Sequence, residues 1–162
     1  NLKTAFANLD ITNFNVQNLD SIDNPFIEKF DFEIKDGTQK TTTGIIINPF
    51  IFNDEKSNPF SSEERKYPID FGCPILTSHT VNIVIPNGYS IEDKPSGISL
   101  KLPDNGGEFI FNCTEIGDKI VLQSKFYIDK TRYKAEDYTT LREFYSQVYR
   151  KYSELIVLKK RL

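Results

Sequence analysis

The sequence predicts a mainly β fold: an antiparallel β-sandwich of about eight strands with one C-terminal α-helix packed on it. Three observations carry this. Apolar and polar residues alternate in a series of short segments, with Gly, Pro, Asn and Asp clustered between them. Bulky β-favouring residues are abundant, with 13 Phe and 8 Tyr but no Trp. Only between Tyr138 and Tyr152 does the apolar spacing change to three and four residues, as on one face of a helix.

The elements follow in order. Leu2 to Leu9 could place Ala5, Phe6 and Leu9 on one side of a short turn, and residues 1–10 read as a linker remnant from an upstream domain. Residues 11–162 read as a single domain. Ile11 to Val16 alternates imperfectly, since Ile11 falls off the face shared by Phe14 and Val16. The turn-rich stretch Asn18 to Pro25 then leads into a return strand with Phe30, Phe32 and Ile34 on one face, which is a hairpin signal. Lys35-Asp36-Gly37 reads as a turn, and Thr41 to Ile47 is rich in β-branched residues. A long connection follows from Asn48 to Tyr67, of a length that is uncommon unless it is functional, packed or disordered.

Val81, Ile83 and Ile85 alternate before the turn Pro86-Asn87-Gly88, and Ile98, Leu100 and Leu102 alternate after it. Asp104-Asn-Gly-Gly107 is the strongest hairpin turn, because its consecutive positions tolerate positive φ. Phe109, Phe111 and Cys113 share the face of the next strand, and after Gly117-Asp118 the residues Ile120, Leu122, Phe126 and Ile128 share another. Tyr138, Leu141, Tyr145, Val148 and Tyr152 predict a helix over about 135–153, at the edge or end of the sandwich. Leu155 to Leu158 closes the chain as a short strand.

A chain of 162 residues buries a core without metals or many disulfides. Its net charge of −3 offers no basic field for a phosphate backbone, so nucleic acid is not an expected partner. No apolar run reaches the roughly 18 residues of a membrane span. The chain begins at Asn1 and contains no Met, which reads as a processed product or a piece of a longer protein. Cys73 and Cys113 form no CxxC pair and, with one His, make no zinc set. They allow one Cys73–Cys113 disulfide in an oxidising compartment; two separate buried thiols are the alternative.

Few residues invite chemistry. Cys73 and His79 suggest a thiol–imidazole pair, but Pro74 follows Cys73 directly and His79 opens a strand, so structural roles are expected. Asp104 and Glu108 flank a glycine turn without the spacing of a calcium loop. Glu63, Glu64 and Asp70 are read as a solvated loop rather than an acid–base pair. Asn-Pro-Phe occurs at Asn24, Asn48 and Asn58. It matches the ligand of certain endocytic adaptor domains, yet each copy sits where a turn is already expected, with Phe as its anchor. Asn112-Cys-Thr114 fits a glycosylation acceptor but lies within a predicted strand. The tail Lys159-Lys-Arg161 reads as a solvated end, and the helix tyrosines as core. No cofactor or metal is expected.

The segment Asn58 to Phe71 is different in kind. Pro59 and Pro68 fix φ and remove backbone donors, so it is a shaped loop without a nucleophile or ligand cluster. Arg65, Tyr67 and Asp70 are its candidates for an interdomain contact, since Arg and Tyr combine rigid area with directed hydrogen bonds. The opposing reading is that Tyr67 and Phe71 only pin the loop to the core.

Three segments together carry a resemblance: Asn58-Pro-Phe with Glu64-Arg-Lys-Tyr-Pro-Ile-Asp-Phe71, then Val84-Ile-Pro-Asn-Gly-Tyr89 with Pro95, then Tyr133 with Tyr138-x-x-Leu141-Arg-x-Phe144-Tyr145. In this order they resemble, from about Phe26 to Leu158, the uncharacterised domain that follows the transglutaminase-like core in exported multidomain proteins of Gram-negative bacteria. The resemblance implies a C-terminal β-sandwich that follows a β-rich domain and a papain-like core with Cys, His and Asp. Those catalytic residues have no counterpart here, and Cys73 and His79 match them in neither order nor spacing. The implied role is a non-catalytic accessory domain, in the periplasm or at the cell surface, whose partner is the upstream transglutaminase-like domain. A glycan- or peptide-binding module and an independent enzyme are the alternatives.

Overall fold

The structure is a computed structural model that describes residues 9–34, 38–51 and 57–161. It divides into two compact units, Asn1–Gln39 and Lys40–Leu162. The expected turn at Lys35-Asp36-Gly37 and the expected linker stretch up to residue 8 lie outside the described residues.

The first unit contains an antiparallel hairpin of β1 (Leu9–Gln17) and β2 (Ile27–Ile34). Its register shifts between Ile11 and Asn13, so that Ile11 faces Phe32 while Phe14 faces Phe30. Phe30 and Phe32 are two residues apart and share a face. The bulge therefore returns Ile11 to the face of Phe14, which explains the imperfect alternation in the sequence. Asn18 takes a φ of 62° at the start of the connection, and its Nδ2 donates to Pro25 O at 2.8 Å.

Strand β3 (Thr38–Lys40) spans the boundary between the units in the sequence, and the second unit continues with β4 (Gly44–Ile47). After the long connection come β5 (Ile69–Asp70), β6 (Ile75–Val84), β7 (Tyr89–Asp93), β8 (Ile98–Lys101), β9 (Gly107–Ile116), β10 (Lys119–Ile128) and β11 (Arg132–Tyr133). Helix α1 (Tyr138–Tyr152) and β12 (Ile156–Lys160) complete it. Among the described residues the fold is mainly β, with antiparallel sheets and one α-helix near the C-terminus, as the sequence predicts.

One sheet has the order β6-β10-β9-β8, and its register places Phe126 beside Phe109, and Ser124 between Phe111 and His79. Its inner face supplies the fully buried Phe109, Phe111, Ile120, Leu122 and Ile128. The helix lies on this face rather than at an edge or end. Phe144 and Tyr145 meet the Phe126 ring at 6.0 and 5.4 Å, and Tyr152 meets Phe109 at 5.4 Å. In the other sheet β12 lies between β4 and β7, and its Ile156 and Leu158 join the same core, as does Ile45 of β4. The tail Lys159-Lys-Arg161 is held rather than loose: Lys159 and Lys160 belong to β12, and Arg161 N–H donates to Gly88 O at 2.7 Å.

The turn at Asp104 to Gly107 obeys a different rule from the one expected. Positive φ falls on Asp104 (55°) and Asn105 (52°), not on the glycines. Gly106 and Gly107 are required for space instead. A Cβ on Gly106 would stand 2.5 Å from Tyr133 Oη, and one on Gly107 would stand 2.6 Å from Tyr127 O. Tyr133 Oη uses that closeness to donate to Gly106 O at 2.8 Å.

Candidate functional site

The long connection is fastened to the fold at several points. The Asn-Pro-Phe copies at Asn48 and Asn58 each form a side-chain turn, in which Oδ1 accepts the N–H of Phe50 at 3.0 Å and of Phe60 at 2.9 Å. Both phenyl rings are buried. At Asn24 the phenylalanine of the motif, Phe26, is exposed instead. Asn58 does more than turn the chain. Its Nδ2 donates to Arg142 O at 2.9 Å and to Ser146 Oγ at 2.8 Å, which ties the loop to α1.

From there Phe60 enters an aromatic nest with Tyr145 at 4.9 Å, Tyr138 at 5.9 Å and Phe71 at 6.3 Å. Tyr138 Oη donates to Ser62 O at 2.7 Å. The far end is held by the β5–β11 pair and by Phe71, whose ring meets Tyr133 and Tyr145 and whose N–H donates to Thr131 O at 2.8 Å. Between these anchors residues 61–68 stand at the surface. They border an open groove lined by Pro59, Phe60, Glu64, Arg65, Tyr67 and Tyr138.

The three candidates for an interdomain contact therefore separate. Arg65 and Tyr67 face solvent beside the groove, and Tyr67 is 77% exposed. Asp70 is engaged within the domain: it meets the Arg132 guanidinium at 3.4 Å, and its Oδ1 accepts Gly72 N–H at 2.9 Å. Phe71 pins the loop to the core and Tyr67 does not. The anchor that sequence reasoning missed is Asn58. A polar side chain reaching a helix 84 residues away leaves no mark in local spacing.

The other candidates stay apart. Cys73 is exposed, Cys113 is half-buried on β9, and both are free thiols. His79 lies four residues into β6, ~13 Å along the strand from its start. It packs edgewise against Phe50 at 6.0 Å and Tyr152 at 5.7 Å, and burial holds its pKa below the ordinary value. Asp104 faces Lys130 at 4.0 Å, whereas Glu108 accepts Tyr127 Oη at 2.9 Å and meets Lys101 at 3.4 Å. The Tyr127 hydroxyl is the main cause of a lowered Glu108 pKa. Glu63 and Glu64 are exposed, and Asn112 stands on the outer face of β9. Among the described residues no group of three or more His, Cys, Asp or Glu is placed to hold a metal ion. No described helix is long and apolar enough to cross a membrane.

Residues 43–158 match a family described as a domain of unknown function with a solved structure, DUF3858. This chain belongs to the DUF3858 family. A search of curated proteins found no match. Among solved structures the fold is similar to one named a "putative protease" from Parabacteroides distasonis ATCC 8503. That likeness has a TM-score of 0.59 at 11% identity and covers 75% of this chain. The DUF3858 chain spans 24% of that protein's length.

Proposed function

We propose that this DUF3858 domain is a non-catalytic accessory module of a longer exported polypeptide, and that it presents the groove beside Arg65 and Tyr67 to a neighbouring transglutaminase-like domain. The observation that carries the reading is the construction of the loop. Asn58, Phe60, Tyr138 and Phe71 hold both ends rigidly, while Arg65 and Tyr67 are left at the surface. Aromatic and guanidinium groups carried on a preformed loop bind with less loss of backbone freedom than groups on a loop that must first be ordered. The reading is also supported by the fold's occurrence as about a quarter of a longer chain. The parent's chemistry and its placement in the periplasm or at the cell surface belong to the same proposal, through the sequence resemblance.

The test compares amide hydrogen exchange of residues 59–67 in this chain alone and in its parent polypeptide. Slower exchange in the parent, reversed by Tyr67→Ala, is expected. Equal exchange in both would remove the interdomain role. A peptide-binding module is the second reading, favoured by the same groove because Phe60, Tyr67 and Tyr138 line it. It predicts protection only when ligand is added.

A further inference from the structure

The sheet β6-β10-β9-β8 ends in two very different edges. β8 is four residues long and carries Lys101, and in the other sheet the outer strand β7 carries Glu92 and Asp93. Short length and charge are the usual protections of an exposed edge. β6 has neither. It is ten residues long, its register with β10 is unbroken from Ile75 to Val84, and it contains no Lys, Arg, Asp, Glu or Pro. Its one ionisable side chain, His79, faces inward against Phe50 and Tyr152. Among the described residues no strand pairs with the outer side of β6.

The hydrogen-bonding parity of this edge follows from its last rung. Ile85 N–H donates to Asp118 O at 2.8 Å, continuing the register in which Ile83 faces Ile120. In an antiparallel ladder the main-chain groups of alternate residues point to opposite sides. The odd-numbered residues of β6 thus bond to β10. Leu76, Ser78, Thr80, Asn82 and Val84 turn their N–H and C=O groups outward. These five also carry their side chains on the exposed outer face, while Ile75, Val81 and Ile83 pack on the core.

We propose that β6 pairs antiparallel with β6 of a second copy of this chain, about a two-fold axis at Thr80, to give one continuous eight-stranded sheet. A register centred on Thr80 sets even-numbered residues opposite even-numbered ones and odd opposite odd. All five outward-pointing residues then exchange main-chain hydrogen bonds, and inner and outer faces stay matched across the seam. The same register sets Leu76 against Val84 of the other copy, twice. These are two of the large exposed apolar side chains, at 67% and 58% exposure. Ser78 meets Asn82, and Thr80 meets itself. The charges nearest the seam also fit. Lys125 stands beside Ser78 and Lys119 beside Val84 on β10. Across the axis Lys125 looks toward Asn82 and Val121, and Lys119 toward Leu76 and Tyr127, so no like charges are opposed. A surface that is complementary to itself about a two-fold axis is the requirement for an isologous dimer. An unrelated acidic or basic strand would find no charge on β6 to pair with.

The test is sedimentation of the full chain across concentrations up to millimolar. A monomer–dimer equilibrium is expected. Thr80→Pro removes an N–H that points away from β10, so it should leave the fold intact and abolish the dimer. Thr80→Lys sets two like charges on the axis and should raise Kd by about tenfold or more. Thr80→Glu should do the same alone, and mixing the Lys and Glu variants should restore association. Circular dichroism and thermal melts of each variant confirm folding. A chain that stays monomeric at all concentrations overturns the proposal. So does a dimer indifferent to both Thr80→Pro and Thr80→Lys, or a Lys and Glu mixture that fails to associate.

Discussion

Replacing Asn58 by Ala tests whether the loop is fastened to the helix by one side chain. The change removes three hydrogen bonds: Nδ2 to Arg142 O, Nδ2 to Ser146 Oγ, and the Oδ1 acceptor of Phe60 N–H. Each is part-buried and contributes about 1 kcal/mol net, so a loss of roughly 2–3 kcal/mol is expected. Asn48 provides the internal comparison. It sits in the same tripeptide and its Oδ1 makes the same turn to Phe50 N–H, but among the described residues no bond from its side chain to the helix accompanies it. Asn48→Ala should therefore cost only about 1 kcal/mol. For a unit the size of Lys40–Leu162, 1 kcal/mol corresponds to roughly 4 °C in Tm. The expected shifts are thus about 8–12 °C for Asn58→Ala and about 4 °C for Asn48→Ala. Calorimetry gives Tm and urea unfolding gives the free energies. Equal losses for the two variants would refute the argument, because the helix bonds would then contribute nothing beyond the turn.

Three further outcomes follow from the packing. Tyr67→Ala should change stability by less than about 0.5 kcal/mol, whereas Phe60→Ala should cost about 3–5 kcal/mol, which urea unfolding distinguishes. Gly106→Ala should lower stability by about 1–3 kcal/mol and shift the amide resonances around Tyr133, since its Cβ meets Tyr133 Oη; Gly106→Ala with Tyr133→Phe should lose less than the two separate losses together. Burial raises the Tyr133 pKa from 10.0 to about 12, with Asp137 and Asp129 adding to it. A pKa raised in the folded state means that its stabilisation is complete below pH 10 and is lost as pH rises toward about 12. Tyr133→Phe should flatten stability over that window. Tyrosinate absorbance should show one fewer late-titrating tyrosine in the variant, with Tyr127, whose pKa the Glu108 hydrogen bond also raises, remaining in both.

Local spacing made most of this fold legible. The strands β1, β2, β8, β9 and β10 and the helix α1 follow from apolar periods of two and of three to four, which a side chain's direction imposes wherever one face is buried. The loop was legible as a shaped segment, because prolines and Asx turns act within a few residues. Its attachments were not. Asn58 reaches Arg142 and Ser146, and Phe60 reaches Tyr138 and Tyr145, across gaps that no periodicity records. The glycines of the Asp104 turn misled for a related reason. They read as sites of backbone freedom, but Tyr133 and Tyr127 pack so close that only a missing side chain fits.

By itself, then, the sequence determined the class of fold, the order of its elements and the unusual loop from Asn58 to Phe71. Each of these depends on interactions between near neighbours in the chain. Only the tertiary structure decided that the helix covers the inner face of a sheet, that Asp70 is spoken for by Arg132 while Arg65 and Tyr67 are free of the core, and that β6 rather than β8 forms the undefended edge. Strand order and side-chain reach are settled by contacts between distant residues, and the alternation within a strand is the same whether it lies at the centre of a sheet or at its rim.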